Sequence, residues 1–99
     1  MLDVTLIAAC IAHEEGYYSD SSIANHNNNP GNIEWPNGVK HVYPTKEAGW
    51  YALKSDIAAG RGSRLKVLLT KYARQVKSDT TMYITNVCQR TGYNPEDVI

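Results

Sequence analysis

His13-Glu14-Glu15-Gly16-Tyr17-Tyr18, followed after a polar stretch by Asn27-Asn28-Asn29-Pro30-Gly31-Asn32-Ile33, decides how this chain is read. Upstream, Val4, Ile7, Ala8 and Ile11 recur at helical spacing, so a helix capped by Asp3 or a neighbour runs to about Glu15 and stops at Gly16. Glu15 falls four residues beyond Ile11 and seven beyond Ala8, on the apolar face of that helix. A carboxyl in such a place is poorly solvated. Its pKa rises, it keeps its proton near neutral pH, and it can then protonate a leaving glycosidic oxygen. Glu14 lies seven residues after Ile7 and four after Cys10, and periodicity does not separate it from Glu15 in that role.

Outward from this stretch, residues 17 to 31 hold Ser, Asp, Asn, Pro and Gly without sustained periodicity. They read as an ordered loop, too long for a turn, whose amides bond to backbone or ligand. Pro36-Asn37-Gly38 between Ile33-Glu34-Trp35 and Val39-Lys40-His41-Val42-Tyr43 predicts a small two-stranded hairpin with positive φ at Asn37 and Gly38. Thr45 then caps a second helix with Glu47 in its first turn, Trp50, Leu53 and Ile57 inward, and Gly60-Arg61-Gly62 at its end. Ser63 caps a third, with Leu65, Leu68, Leu69 and Tyr72 buried. A fourth starts at Asp79 or Thr80, turns Tyr83, Ile84, Val87 and Cys88 to one face and stops at Gly92. Asn94-Pro95-Glu96-Asp97 reads as the start of a fifth. With no internal repeat, residues 1 to 99 form a single, mostly helical α+β domain with one small hairpin.

Ten Lys and Arg balance ten Asp and Glu, so no net field draws the chain to nucleic acid or to an anionic membrane. A neutral or mixed-charge polymer suits it better. Seven Tyr and two Trp with no Phe supply rings that combine a flat apolar face with a hydrogen-bonding edge, as sugar platforms do. Trp50 shares the face of Leu53 and Ile57 and reads as core, whereas Trp35, on the hairpin beside the amide-rich loop, is the better platform. Cys10 and Cys88 have neither metal nor redox spacing, and buried free thiols are their expected state. No two of His13, His26 and His41 stand at a zinc-ligand spacing, and no acyl-transfer or phosphate-binding motif is present, so neither metal nor cofactor is expected. Asp20 and Glu34 are the nearby carboxylates that could act as a second acid, base or nucleophile. No signal peptide is seen, and no segment approaches the roughly 20 apolar residues of a membrane span.

Together, Ala12-His13-Glu14-Glu15-Gly16-Tyr17-Tyr18, the Asn27 to Ile33 block and Tyr43-Pro44-Thr45-Lys46-Glu47-Ala48-Gly49-Trp50-Tyr51-Ala52-Leu53 resemble the lysozyme-like peptidoglycan-cleaving enzymes of phages and bacteria, the lytic transglycosylases and goose-type lysozymes. The run of blocks, from Ala12 to Leu53, spans a little under half of the chain. The resemblance implies a lysozyme-like fold with Glu15 as catalytic acid, since the family's acid ends the first long helix and is followed by a small residue, here Gly16. Tyr83-Ile84-Thr85-Asn86-Val87 matches the family's pattern around a Tyr that bonds near the acid, so Tyr83 is expected to orient Glu15. Asn29 and Asn32 are expected to position the acid or the sugar, with Tyr18, Trp35 and Tyr43 as substrate-binding rings. A Gly-Leu-Met-Gln segment seen in many transglycosylases is missing, and the Asn-Pro-Gly-Asn-Ile block with the hairpin stands in its place.

The activity that the resemblance implies is cleavage of the β-1,4 bond between N-acetylmuramic acid and N-acetylglucosamine. A single carboxylate without an assured partner favours a lytic transglycosylase over a hydrolytic muramidase. The alternatives from another class are a non-catalytic peptidoglycan-binding module and a virion structural module. Expected partners are glycan strands and other virion proteins, and the expected location is the virion, or the host cytoplasm before release to the cell wall. The chain is short for this family, so part of the cleft is expected from another domain, or the sequence is a fragment.

Overall fold

The computed structural model describes residues 1 to 99. Its helices are α1 (Val4–Glu14), α2 (Ile23–His26), α3 (Lys46–Ala59), α4 (Leu65–Gln75) and α5 (Thr80–Thr91). Local chemistry sets most of their ends. The Asp3 carboxylate accepts from the Thr5 and Leu6 amides, Thr45 Oγ1 from the Ala48 amide, and Asp79 from the Met82 amide, each satisfying a first-turn N–H that has no intrahelical partner. Gly92 closes α5 with φ 76°, a left-handed conformation that costs glycine little.

Two expectations, about the start of α4 and about the last residues, are corrected. Arg64, not Ser63, is the N-cap of α4, and no side chain caps it. The residues expected to open a fifth long helix do that work instead. The Asp97 amide bonds to the Asn94 carbonyl and the Asn94 amide to the Asp97 carboxylate, closing a turn, and the carbonyls of Asp97 and Pro95 then accept from the amides of Leu65 and Lys66 at 2.8 and 3.0 Å. Those carbonyls are taken by α4, so 94 to 97 cannot continue as a helix. An antiparallel bridge of Arg64 with Val98 follows, and Ile99 seals the core beside it.

The hairpin is also less than expected. Residues 33 to 43 double back, but with one antiparallel bridge, Glu34 with Lys40, so the mostly helical part of the expected architecture holds, with five helices, and its β part is reduced to almost no strand. A two-residue Asn37-Gly38 turn would pair Pro36 with Val39, and proline has no N–H for that pair. The turn shifts back by one residue: the Gly38 amide bonds to the Trp35 carbonyl, the Trp35 amide to the Val39 carbonyl, and only Gly38 takes positive φ, 84°.

Ile7, Ala8 and Ile11 of α1 meet Leu53 and Ile57 of α3, Leu65, Leu69 and Tyr72 of α4, and Tyr83 and Val87 of α5 in one core. Each large side chain withdrawn there contributes roughly 1.5 to 3 kcal/mol. α1 packs against both α3 and α5, and α4 against α5, which places the C-terminal end of α1 between neighbours on two sides. A smaller cluster of Ala12, Tyr17 and Ala24 lies against Trp50, half-buried as a core residue on α3. α2, a single turn capped by Ser22, breaks up the 17 to 31 loop; at four residues it is too short to leave a periodic signal.

The Asn-rich block is fastened to this core at nearly every residue. Asn28 and Asn32 take positive φ (51° and 48°), which asparagine tolerates better than most residues. A Cβ on Gly49 would lie 1.7 Å from the Asn28 carbonyl oxygen, so only glycine lets α3 approach this loop. A Cβ on Gly31 would stand 2.8 Å from Leu53 Cδ1 and 3.2 Å from Tyr72 Cε1. The loop is therefore set directly against the core and carries Asn32 to the end of α1.

Candidate active site

Glu15 is the C-cap of α1, one residue past its last helical position, and only 6% exposed. Both carboxylate oxygens are held. Tyr83 Oη donates to Oε2 at 2.5 Å from across the α1 to α5 interface, and Asn32 Nδ2 donates to Oε1 at 3.1 Å and to the Glu15 carbonyl at 3.3 Å. Burial pushes the Glu15 carboxyl up to about 7, and the Glu14 charge adds to it, while the Tyr83 and Asn32 hydrogen bonds and the Lys40 ammonium pull the other way. Desolvation wins. The same burial, with the Glu15 charge opposite, drives the Tyr83 phenol far above its ordinary range, so Tyr83 remains a donor at any physiological pH.

Tyr83 and Asn32 thus meet Glu15 as expected, and Asn29 has a different place. Fully buried, its Nδ2 donates to the carbonyls of Ile33 (2.9 Å) and His41 (3.0 Å), and its Oδ1 accepts from the Ile33 amide (2.9 Å). Both donors are committed to backbone. Asn29 holds the turn that presents Asn32 and ties it to the hairpin, and makes no hydrogen bond to Glu15. Asn32 Oδ1, by contrast, is buried without a partner.

Tyr18, Trp35 and Tyr43 make no hydrogen bond to Glu15. Tyr18 is exposed and packs edge-on to Tyr17. Trp35 is 55% exposed and stacks on His41 with ring centroids 3.9 Å apart, and Tyr43 Oη shares a 3.3 Å hydrogen bond with His41 Nδ1. His41 therefore works as the middle of an aromatic ladder. Asp20 is exposed and unpaired, and Glu34 is joined to Lys40 at 2.9 Å, so neither is held against Glu15. Cys10 and Cys88 are free thiols, and burial raises both. No three His, Cys, Asp or Glu side chains converge as metal ligands would.

Two features carried little sequence signal. Lys40, which bonds to Glu34 and to the Gln75 carbonyl, places a positive charge near Glu15, and the expected Asn37-Gly38 turn hid it by setting Glu34 opposite His41. Glu14, the rival of Glu15, has no part in these hydrogen bonds and lines a cavity of about 180 Å³ together with Tyr83. Comparison with protein-family models, with curated protein sequences and with solved structures finds no match.

Proposed function

We propose that this chain is a lysozyme-like domain that cleaves the β-1,4 bond between N-acetylmuramic acid and N-acetylglucosamine in peptidoglycan, as a lytic transglycosylase. The observation that carries the reading is the Glu15 carboxyl: buried, bonded on both oxygens by Tyr83 and Asn32, and pushed up to about 7. A carboxyl tuned to that range can act as acid and then as base at neutral pH. Glu15 first gives its proton to the leaving O4 as the C1–O4 bond breaks, while the substrate's 2-acetamido group steadies the cationic C1. As a carboxylate, Glu15 then takes the proton of the muramic 6-hydroxyl as that oxygen bonds to C1, leaving a 1,6-anhydro end and a reprotonated acid.

Tyr83 and Asn32 are positioning residues in this scheme, and their hydrogen bonds favour the carboxylate form in the second half of the reaction. Attack by water would make the enzyme a muramidase. Neither Asp20, which is exposed, nor Glu34, which is paired with Lys40, is held as a base for that water, which favours the 6-hydroxyl. The exposed Trp35 face favours one further reading, a module that binds glycan without cutting it. Glycan strands are the proposed partner, alongside other virion proteins, and the proposed location is the virion or the host cytoplasm before release to the wall.

Incubation with purified peptidoglycan separates these readings. Wild type is expected to release soluble fragments and Glu15→Gln to bind the polymer while releasing none. Equal retention on the polymer with no release by either protein would leave the binding module.

A further inference from the structure

The two hydrogen bonds that hold the Glu15 carboxyl come from donors of different kinds. Tyr83 Oη reaches Oε2 at 2.5 Å, and Asn32 Nδ2 reaches Oε1 at 3.1 Å. Glu14 on α1, Lys40 on the hairpin and Tyr72 on α4 lie close enough to act on the carboxyl by charge but do not bond to it. We propose that Asn32 decides which oxygen of the acid carries the labile proton: it keeps Oε1 as the carbonyl oxygen, so that the proton resides on Oε2, against Tyr83, and leaves from there.

A carboxylate only accepts hydrogen bonds, whereas a protonated carboxyl keeps one oxygen as an acceptor and gains an O–H that needs one. An amide nitrogen has hydrogens to donate and no lone pair to offer. Asn32 could therefore meet a proton on Oε1 only by turning its amide over to present Oδ1. The fold opposes that turn. Besides Oε1, Nδ2 donates to the Glu15 main-chain carbonyl at 3.3 Å, and that carbonyl, at the end of α1, has no other donor. Turned over, Oδ1 would take the place of Nδ2, oxygen against oxygen, and the buried carbonyl would lose its partner. Oδ1 has no partner as it stands, so the Glu15 proton is a donor it could gain, and the turned-over amide is the rival arrangement.

Tyr83 is the opposite case. Its hydroxyl keeps its own hydrogen and also has lone pairs, and an O–H rotates without moving a heavy atom, so Oη can receive the Glu15 proton where the amide nitrogen cannot. Resting on the glycan-cleaving reading above, Oε2 is then the oxygen that serves as acid and base. Its proton passes to the leaving O4 as the C1–O4 bond breaks, the carboxylate accepts from Tyr83, and the proton of the 6-hydroxyl returns to Oε2 as O6 bonds to C1. Asn32 is a positioning residue that donates throughout, to the carbonyl oxygen of the acid and then to the anion.

Infrared difference spectra of the full chain test this, taken at about pH 5.5 and about pH 8.5, on either side of the Glu15 value of about 7. The signal is the C=O stretch of the protonated carboxyl, identified as the band that Glu15→Gln lacks. A carbonyl that loses a hydrogen-bond donor stretches at higher frequency. Asn32→Gly, in which glycine suits the φ of 48°, is expected to raise the Glu15 stretch, and Tyr83→Phe, which acts on the O–H side, to move it less. A larger rise in Tyr83→Phe than in Asn32→Gly would put the proton on Oε1 and overturn the assignment. Should Asn32→Gly not fold, wild type decides by NMR: nuclear Overhauser contacts between the Asn32 side-chain amide protons and the Glu15 methylenes are expected at both pH values, and their loss at the lower one would show the amide turning over and overturn the assignment. A chain with the expected pattern that cuts no glycan would keep this assignment and lose the glycan-cleaving reading, and one that cuts with the reverse pattern would do the opposite.

Discussion

Glu15 destabilises this fold at neutral pH, and the effect is measurable. Its carboxyl moves from an ordinary 4.5 to about 7 on folding, so between those values the unfolded chain binds fewer protons than the native one and stability falls as pH rises. The penalty is absent below about 4.5, grows across the window and is complete above about 7, where it amounts to about 3 kcal/mol. Glu15→Gln removes it. That variant should unfold at the same temperature as wild type near pH 4 and higher than wild type at pH 8, with each kcal/mol worth roughly 4 to 8 °C for a chain of this size. A pH-independent difference in thermal midpoint would contradict the burial account. Tyr83→Phe keeps the ring and removes the hydrogen bond that lowers Glu15, so the Glu15 carboxyl carbon, followed by NMR, should titrate at a higher pH than in wild type. A downward move would mean that Tyr83 does not stabilise the carboxylate. At this scale the sequence was partly legible. Helical phase put Glu15 on an apolar face, yet could not choose between Glu15 and Glu14, because the choice depends on the chain leaving the helix at Gly16 (φ 77°) and on which neighbours then surround each carboxyl.

At the scale of elements, the Asn-rich block works as a clamp. Asn27 accepts at its carbonyl from the Tyr43 amide, Asn28 Nδ2 donates to the Tyr43 carbonyl, and Asn29 binds both Ile33 and His41, so loop and hairpin are one hydrogen-bonded unit laid on α3. Asn29→Ala should cost about 2 to 4 kcal/mol in chemical unfolding, since it strands three buried backbone groups, and should lower activity through the folded fraction and not through substrate affinity. A stable Asn29→Ala protein with a raised KM would instead return Asn29 to the cleft. Gly49→Ala must displace backbone and should cost about 3 kcal/mol or more, whereas Gly31→Ala meets side-chain atoms and should cost less; the reverse order in thermal melts would contradict the packing described. Helix starts were readable because Asp3, Thr45 and Asp79 cap through their own side chains. The α4 start and the last turn were not, because carbonyls some 30 residues away in sequence satisfy α4, and no local pattern encodes that pairing. Pro36 was the readable sign, outweighed by Asn-Gly, that the turn could not close where that dipeptide suggested.

For the molecule as a whole, the core was legible as apolar stripes, and the surroundings of Glu15 were not. Of the residues that periodicity points inward, Ile7, Ile11, Leu53, Ile57, Leu65, Leu69, Tyr72 and Val87 are fully buried, whereas Val4, Trp50, Ile84 and Cys88 pack on the core only partly buried. The Tyr72 phenol, deep in this core, donates to Asp56, a pairing between α3 and α4 that sequence spacing could not reveal. Ile99 belongs to the same core, and Ile99→Ala should destabilise the chain by about 2 to 4 kcal/mol in denaturant melts while also loosening the N-terminus of α4. No effect on stability would mean that the 94 to 99 segment is not docked. Residue, element and molecule share one theme, a fold that gives up stability to hold one protonatable carboxyl at the end of α1. The most direct trial of that claim is mass spectrometry of the soluble products when wild type and Glu15→Gln are each given purified peptidoglycan. Anhydro-muropeptides from wild type and none from Glu15→Gln is the expected result, and equal product from both proteins would contradict the account.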